Sequence, residues 1–150
     1  MNLQQFLHIL VDTMASQKAQ TLALSKGGWE GWLQCEMWAA VSQAGVSIER
    51  ELQYPDSNTF CDLVCQIDNN PTWIELKAFG IFQKSNSNKF LDSFAIDVGK
   101  LDRAPDGVSK LAILVVPKSI GDVLIHLVSE RWPAVTVSQT STMYLCYIKF

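Results

Sequence analysis

Residues 60–78 read Phe60-Cys61-Asp62-Leu63-Val64-Cys65-Gln66-Ile67-Asp68-Asn69-Asn70-Pro71-Thr72-Trp73-Ile74-Glu75-Leu76-Lys77-Ala78. Two strand-like runs, Phe60 to Ile67 and Thr72 to Phe79, flank Asp68-Asn69-Asn70-Pro71. Asn and Asp tolerate the left-handed backbone of a tight turn and Pro cannot sit in a central strand, so the stretch predicts a β-hairpin. Side chains alternate across a strand, which puts Trp73, Glu75 and Lys77 on one face and Ile74, Leu76 and Ala78 on the other. On the preceding strand Asp62 shares a face with Val64, opposite Cys61 and Cys65. With 12 residues between Asp62 and Glu75, a hairpin in the matching register sets the two carboxylates side by side. There they repel unless a cation lies between them. An oxygen-only ligand set favours Mg²⁺ or Mn²⁺ over zinc. Lys77, two residues beyond Glu75, is placed to orient a water or stabilise charge on a phosphate oxygen, and the set amounts to the parts needed for phosphodiester hydrolysis.

Working outward, Phe6, Leu7, Ile9, Leu10, Met14, Leu22 and Leu24 recur at a roughly helical period and predict one helix from Leu3 to Leu24, stopped by Gly27 and Gly28. A second amphipathic helix is expected from Trp29 to Ala44, with Trp29, Trp32, Leu33, Met37, Ala40 and Val41 as its core stripe and Gly45 ending it. A strand from Val46 to Tyr54 precedes the hairpin. After it, Gly80 to Asn88 is polar and reads as a loop over a site. Phe90, Leu91, Phe94, Val98 and Leu101 mark a helix, and Lys110 to Val116 is apolar on both faces, as in a central covered strand. A helix from Ile120 to Arg131 and one or two strands between Val135 and Phe150 follow. The order predicts an α/β fold, a mixed sheet flanked by helices with an αβββαβ core.

The chain has 150 residues, 48% hydrophobic and 18% charged, enough apolar content for one globular core and too much for disorder. Its net charge is −3, which argues against nucleic-acid binding by a blanket of positive charge. The distribution is uneven: residues 1–75 carry 3 basic and 9 acidic side chains, residues 76–150 carry 9 and 6. Lys77, Lys84, Lys89, Lys100, Arg103 and Lys110 fall in one stretch, so a cation site could adjoin a phosphate-contacting surface. Cys35, Cys61, Cys65 and Cys146 form no zinc pattern and read as reduced core thiols. With no long apolar run and no leader-like start, a cytoplasmic protein without membrane spans is expected. His8 and His126 lack a nucleophile or an acidic partner in the pattern, so a catalytic triad is not expected.

The helix with Glu30 and Glu36, Phe60-Cys61-Asp62-Leu63-Val64, Trp73-Ile74-Glu75-Leu76-Lys77-Ala78 and the helix with Asp97 and Lys100-Leu101, followed by the apolar strand from Leu111, together resemble the PD-(D/E)xK, or restriction-endonuclease-like, nuclease superfamily. Cys61 stands where the family name has Pro. The resemblance implies a single domain over 1–150, with residues 1–26 an N-terminal helical addition, 28–117 the core and 118–150 a C-terminal helix and strand. It implies Mg²⁺ or Mn²⁺ held by Asp62, Glu75 and a helical acid, Lys77 assisting the water, and a DNA or RNA substrate, DNA being preferred. Glu36, mid-helix, is the expected third acid, because Glu30 in the first turn can instead complement the helix dipole. Lys84, Lys89 and Lys100 are the expected phosphate contacts, although Asp97 and Lys100 also have the spacing of a helix-surface ion pair. Sequence specificity would come from loops, a homodimer or a partner protein, with the first helix as an interface. A second reading is a non-catalytic binding module of the same fold, such as an acidic immunity protein that neutralises a toxin by presenting a negative surface. A third is a plain α/β domain with a structural Glu-Lys pair.

Overall fold

The turn at Asp68-Asn69 sets the register of the whole site. Both residues take positive φ, 53° and 62°, as a two-residue type I′ hairpin requires, and Ile67 pairs with Asn70. The computed structural model describes every residue except Gly27 and Asp56; the expected helix stop at Gly27 lies outside the described residues. The elements are α1 (Leu3–Ala15), α2 (Gln17–Ala23), α3 (Glu30–Gln43), β1 (Ile48–Gln53), β2 (Phe60–Ile67), β3 (Asn70–Ala78), a 3-10 turn (Ile81–Asn86), α4 (Ser87–Lys100), β4 (Ser109–Pro117), α5 (Lys118–Arg131), β5 (Thr136–Gln139) and β6 (Met143–Lys149). The fold is α/β, with a six-stranded mixed sheet in the order β1-β2-β3-β4-β6-β5. Among the described residues only β3 and β4 pair in parallel; α4 makes the crossover between them.

Helices cover both faces. On one side α1, α2 and α3 pack Phe6, Leu10, Met14, Ala19, Leu33 and Met37 against Leu63, Ile74, Leu76 and Ile113. On the other, α4 and α5 pack Phe90, Phe94, Leu124 and Val128 against Trp73, Ala112, Leu114 and Val116. β4 is buried on both faces, as its unbroken apolar run predicts. Among the described residues no helix is long and apolar enough to cross a membrane.

Three expectations change. The first helix is two, because Ser16 leaves α-space (φ −62°, ψ 143°) and caps the second piece by accepting from Ala19 N–H; both pieces bury their apolar residues in the first core. The segment from Gly80 to Asn88 is no open loop. Gln83 N–H donates to Gly80 O at 3.0 Å and its Oε1 accepts from Gly80 N–H at 2.8 Å, closing the 3-10 turn that leads into α4. Cys35 is exposed and touches Arg50 Nη1; only Cys61, Cys65 and Cys146 are core thiols.

The two cores also reveal a break in alternation. Cys61 packs with the α4–α5 side and Cys65 with the α1–α3 side, whereas even spacing on one strand predicts a common face. β1 changes sides as well, from Ile48 to Leu52. Both switches meet at Glu51 and Asp62, which are omitted from the β1–β2 pairing. Glu51 is in the left-handed region (φ 53°), a conformation that a non-glycine residue seldom holds within a strand.

Candidate active site

β2 and β3 part company where their acids lie. Their pairing runs from Ile67–Asn70 to Leu63–Ile74 and ends there, so Asp62 and Glu75 face one another across a gap instead of a ladder. Beyond Ile74, β3 has a partner only in β4, and its N–H groups on the open side need acceptors. Two carboxylates supply them: Asp62 Oδ2 accepts from Leu76 N–H at 2.8 Å and Glu30 Oε2 from Ala78 N–H at 3.1 Å. Glu30 reaches β3 because the start of α3 is anchored there, Trp29 Nε1 donating to Phe79 O at 2.9 Å in the core.

Glu75 and Lys77 project to the other face, toward α4, as alternation predicts. Glu75 is 0% exposed. Its Oε1 accepts from the Tyr54 hydroxyl at 2.7 Å, and Lys100 Nζ stands 2.8 Å from its Oε2. Lys100 also pairs with Asp97 at 2.9 Å, and Asp97 with Lys77 at 2.8 Å. Lys77 Nζ lies 3.5 Å from Glu30 Oε1. A continuous polar chain therefore runs from Tyr54 through Glu75, Lys100, Asp97 and Lys77 to Glu30, with Asp62 beside Glu75.

The electrostatics follow from burial and from an excess of acid. Burial, then the charge of Asp62, pushes Glu75 up to about 8. Burial likewise raises Asp62, opposed by the Leu76 N–H bond, and raises Glu30, opposed by Lys77. Burial alone would lower Lys77, but Glu30 and Asp97 outweigh it and hold the ammonium above its usual range. Four carboxylates (Glu30, Asp62, Glu75, Asp97) share two ammonium groups (Lys77, Lys100). If all were ionised the cluster would be short of two positive charges, and a raised carboxyl pKa is the expected response.

Of the residues expected from sequence, Asp62, Glu75 and Lys77 come together, and Lys100 lies among them. Glu36 does not. It pairs with Lys18 on the outer side of α3 at 3.4 Å, with its side chain 43% exposed; the helical acid of the cluster is Glu30, about one and two-thirds turns earlier and on a different side of the helix. Lys84 and Lys89 are exposed, outside the cluster. Asp97 and Lys100 do form the i, i+3 pair, and each also bonds into the site. Tyr54, unmarked in the sequence beyond ending a strand, was missed.

Among the described residues no three His, Cys, Asp or Glu side chains converge as a ready-made metal cage. Mg²⁺, however, commonly uses one or two carboxylates and keeps its waters. Asp62 and Glu75 offer such a pair, and the second Glu75 oxygen is engaged by the Lys100 ammonium alone. The donor chemistry fits a hard divalent cation, provided that Lys100 yields its place on Glu75. No family model, curated protein or solved structure matches the chain.

Proposed function

We propose that the protein is a small metal-dependent nuclease with a restriction-endonuclease-like core of the PD-(D/E)xK kind, hydrolysing phosphodiester bonds of DNA, with RNA the alternative polymer. The observation that carries this reading is the acid-rich cluster around buried Glu75 at the gap between β2 and β3. Such a cluster leaves a charge deficit that a divalent cation relieves. The element order α3-β1-β2-β3-α4-β4 supports the same core arrangement. Asp62 and Glu75 are the proposed ligands of Mg²⁺ or Mn²⁺, and Glu30 takes the part expected of Glu36. When bound, such a cation supplies Lewis-acid stabilisation of phosphoryl charge and lowers the pKa of water. Lys77, kept protonated by Asp97 and Glu30, acts as a donor to a phosphate oxygen or to the attacking water and not as the base. Tyr54 fixes the rotamer of Glu75. The three buried free thiols suit a reducing, cytoplasmic setting.

The binding-module reading draws on one observation: every charge described in the cluster has a partner within the chain, and Lys100 sits on the Glu75 oxygen that a metal would use. Two measurements separate the readings. Purified protein is incubated with single-stranded DNA, duplex DNA and RNA in Mn²⁺, beside Glu75→Gln, while calorimetry follows Mn²⁺ uptake. Cleavage that vanishes in the variant supports the nuclease and identifies its polymer. Folded protein that cuts nothing and takes up no carboxylate-dependent Mn²⁺ is a binding module, whether for a second copy or another protein.

A further inference from the structure

At the 3-10 turn and the start of α4 lies a groove of about 310 Å³ lined by Phe82, Gln83, Asn86, Lys89, Phe90 and Ser93. Its unusual member is Phe82, which is 47% exposed although its ring lies against two glycines. A Cβ on Gly80 would fall 2.9 Å from Phe82 Cε1, and one on Gly28 3.3 Å from its Cζ. Two glycines thus make room for the ring, one three residues after Lys77 and one two residues before Glu30. An aromatic side chain seated against two glycines and half exposed has the form of a stacking platform.

α4 carries residues of both the groove and the charged cluster. Lys89, Ser93 and Asp97 follow one another at i, i+4 spacing and Lys100 comes three residues later, so they share one side of the helix. From Lys89 to Asp97 the axial rise is about 12 Å, three to four nucleotides at the ~3.4 Å spacing of stacked bases. Lys89 is exposed and forms no ion pair with another described residue, leaving its ammonium available to a phosphate. The chain carries a net charge of −3, so phosphate contacts alone would supply little affinity and base stacking has to supply the rest. A stacking platform is usable only by a base that is not already paired and stacked in a duplex.

We infer that the Phe82 groove binds a nucleobase of a single-stranded stretch of the substrate, with Lys89 on the adjoining phosphate, and feeds that strand along α4 toward Lys77. The inference rests on the nuclease reading for its substrate class, and its test is independent of cleavage. Fluorescence anisotropy in EDTA measures binding of labelled oligothymidylate, oligouridylate and a duplex of equal length. Single strands should bind more tightly than duplex, and the two oligonucleotides show whether the groove prefers DNA or RNA. Phe82→Ala should weaken single-strand binding about tenfold, the effect of one lost stacked base, and Phe82→Trp should retain it. Lys89→Ala should flatten the dependence of log affinity on log salt by ~0.7. Equal affinity for duplex and single strand, no binding of any oligonucleotide, or Phe82→Ala binding as tightly as wild type would each overturn the inference. Binding through Phe82 by a protein that cuts nothing in Mn²⁺ would remove the nuclease reading alone; cleavage of single strands indifferent to Phe82→Ala would remove this inference alone.

Discussion

Replacing Glu75 by Gln should abolish a fall in stability that the metal-free protein shows as pH rises. Glu75 is fully buried, and its pKa is about 8 against an ordinary 4.5. A carboxyl raised in this way binds more protons folded than unfolded. Its contribution to stability is complete below about pH 4.5 and is lost as pH rises through about 8. Each pH unit inside that window costs the wild type up to ~1.4 kcal/mol, which between pH 5 and 8.5 accumulates to roughly 4 kcal/mol from this one group. For a domain whose whole stability is on the order of 5–15 kcal/mol, that is a large fraction. Gln keeps an acceptor for the Tyr54 hydroxyl but not the charge facing Lys100. Lys100 keeps its pair with Asp97 at 2.9 Å, and a lysine ordinarily titrates above this range, so losing the Glu75 partner shifts the variant's curve more than it tilts it. The slope is therefore the quantity to read. Urea unfolding followed by tryptophan fluorescence, in EDTA at intervals from pH 5 to 9, should show the Glu75→Gln variant gaining roughly 3–4 kcal/mol on wild type across the series. Parallel curves for the two proteins would refute the argument that Glu75 is held protonated by burial and by Asp62.

Three further outcomes are expected. Tyr54→Phe removes the 2.7 Å donor to Glu75 Oε1 and should cost about 1–3 kcal/mol, with the loss increasing as Glu75 ionises; unchanged urea midpoints at pH 9 would contradict it. Glu30→Gln should cut Mn²⁺-dependent cleavage at least tenfold, while Glu36→Gln, on an exposed pair with Lys18, should leave cleavage intact and stability within about 0.5 kcal/mol; the reverse ranking would restore Glu36 to the site. Gly121→Ala drives a methyl into Val116 Cγ1, and overpacking of this kind should cost about 1–3 kcal/mol, visible as a lowered Tm with catalysis unaffected below it.

The hairpin was legible because its signals are local. Asn and Asp at the turn fix the register by themselves, and the pairing then sets Asp62 opposite Glu75 and turns Lys77 to the same side as Glu75. What the sequence hid depends on distant contacts. Nothing in the helical pattern marks Glu30 over Glu36, because the choice is made by Trp29 docking on Phe79 O, fifty residues away. Tyr54 reaches Glu75 only because β1 changes sides around Glu51, and Glu-Leu-Gln-Tyr carries no sign of a left-handed residue. The polar run before α4 looked like a loop for want of any way to see that Gln83 closes it on Gly80. Helix and strand existence followed from apolar periodicity; the break at Ser16 did not, since residues on both sides of it remain in one apolar layer.

The parting of β2 and β3 has a bearing on self-association. An unpaired strand edge is a template for another chain to add to, and here such an edge lies within the sheet. The Leu76 and Ala78 N–H groups are occupied by Asp62 and Glu30, which stand over that edge as charged stoppers. Alanine at either position would free a backbone donor and remove a repelling charge together, so those variants should be the ones that aggregate on concentration. Asn and Gln, which keep an acceptor for the edge, would leave the opening guarded while the acids' chemistry is taken away.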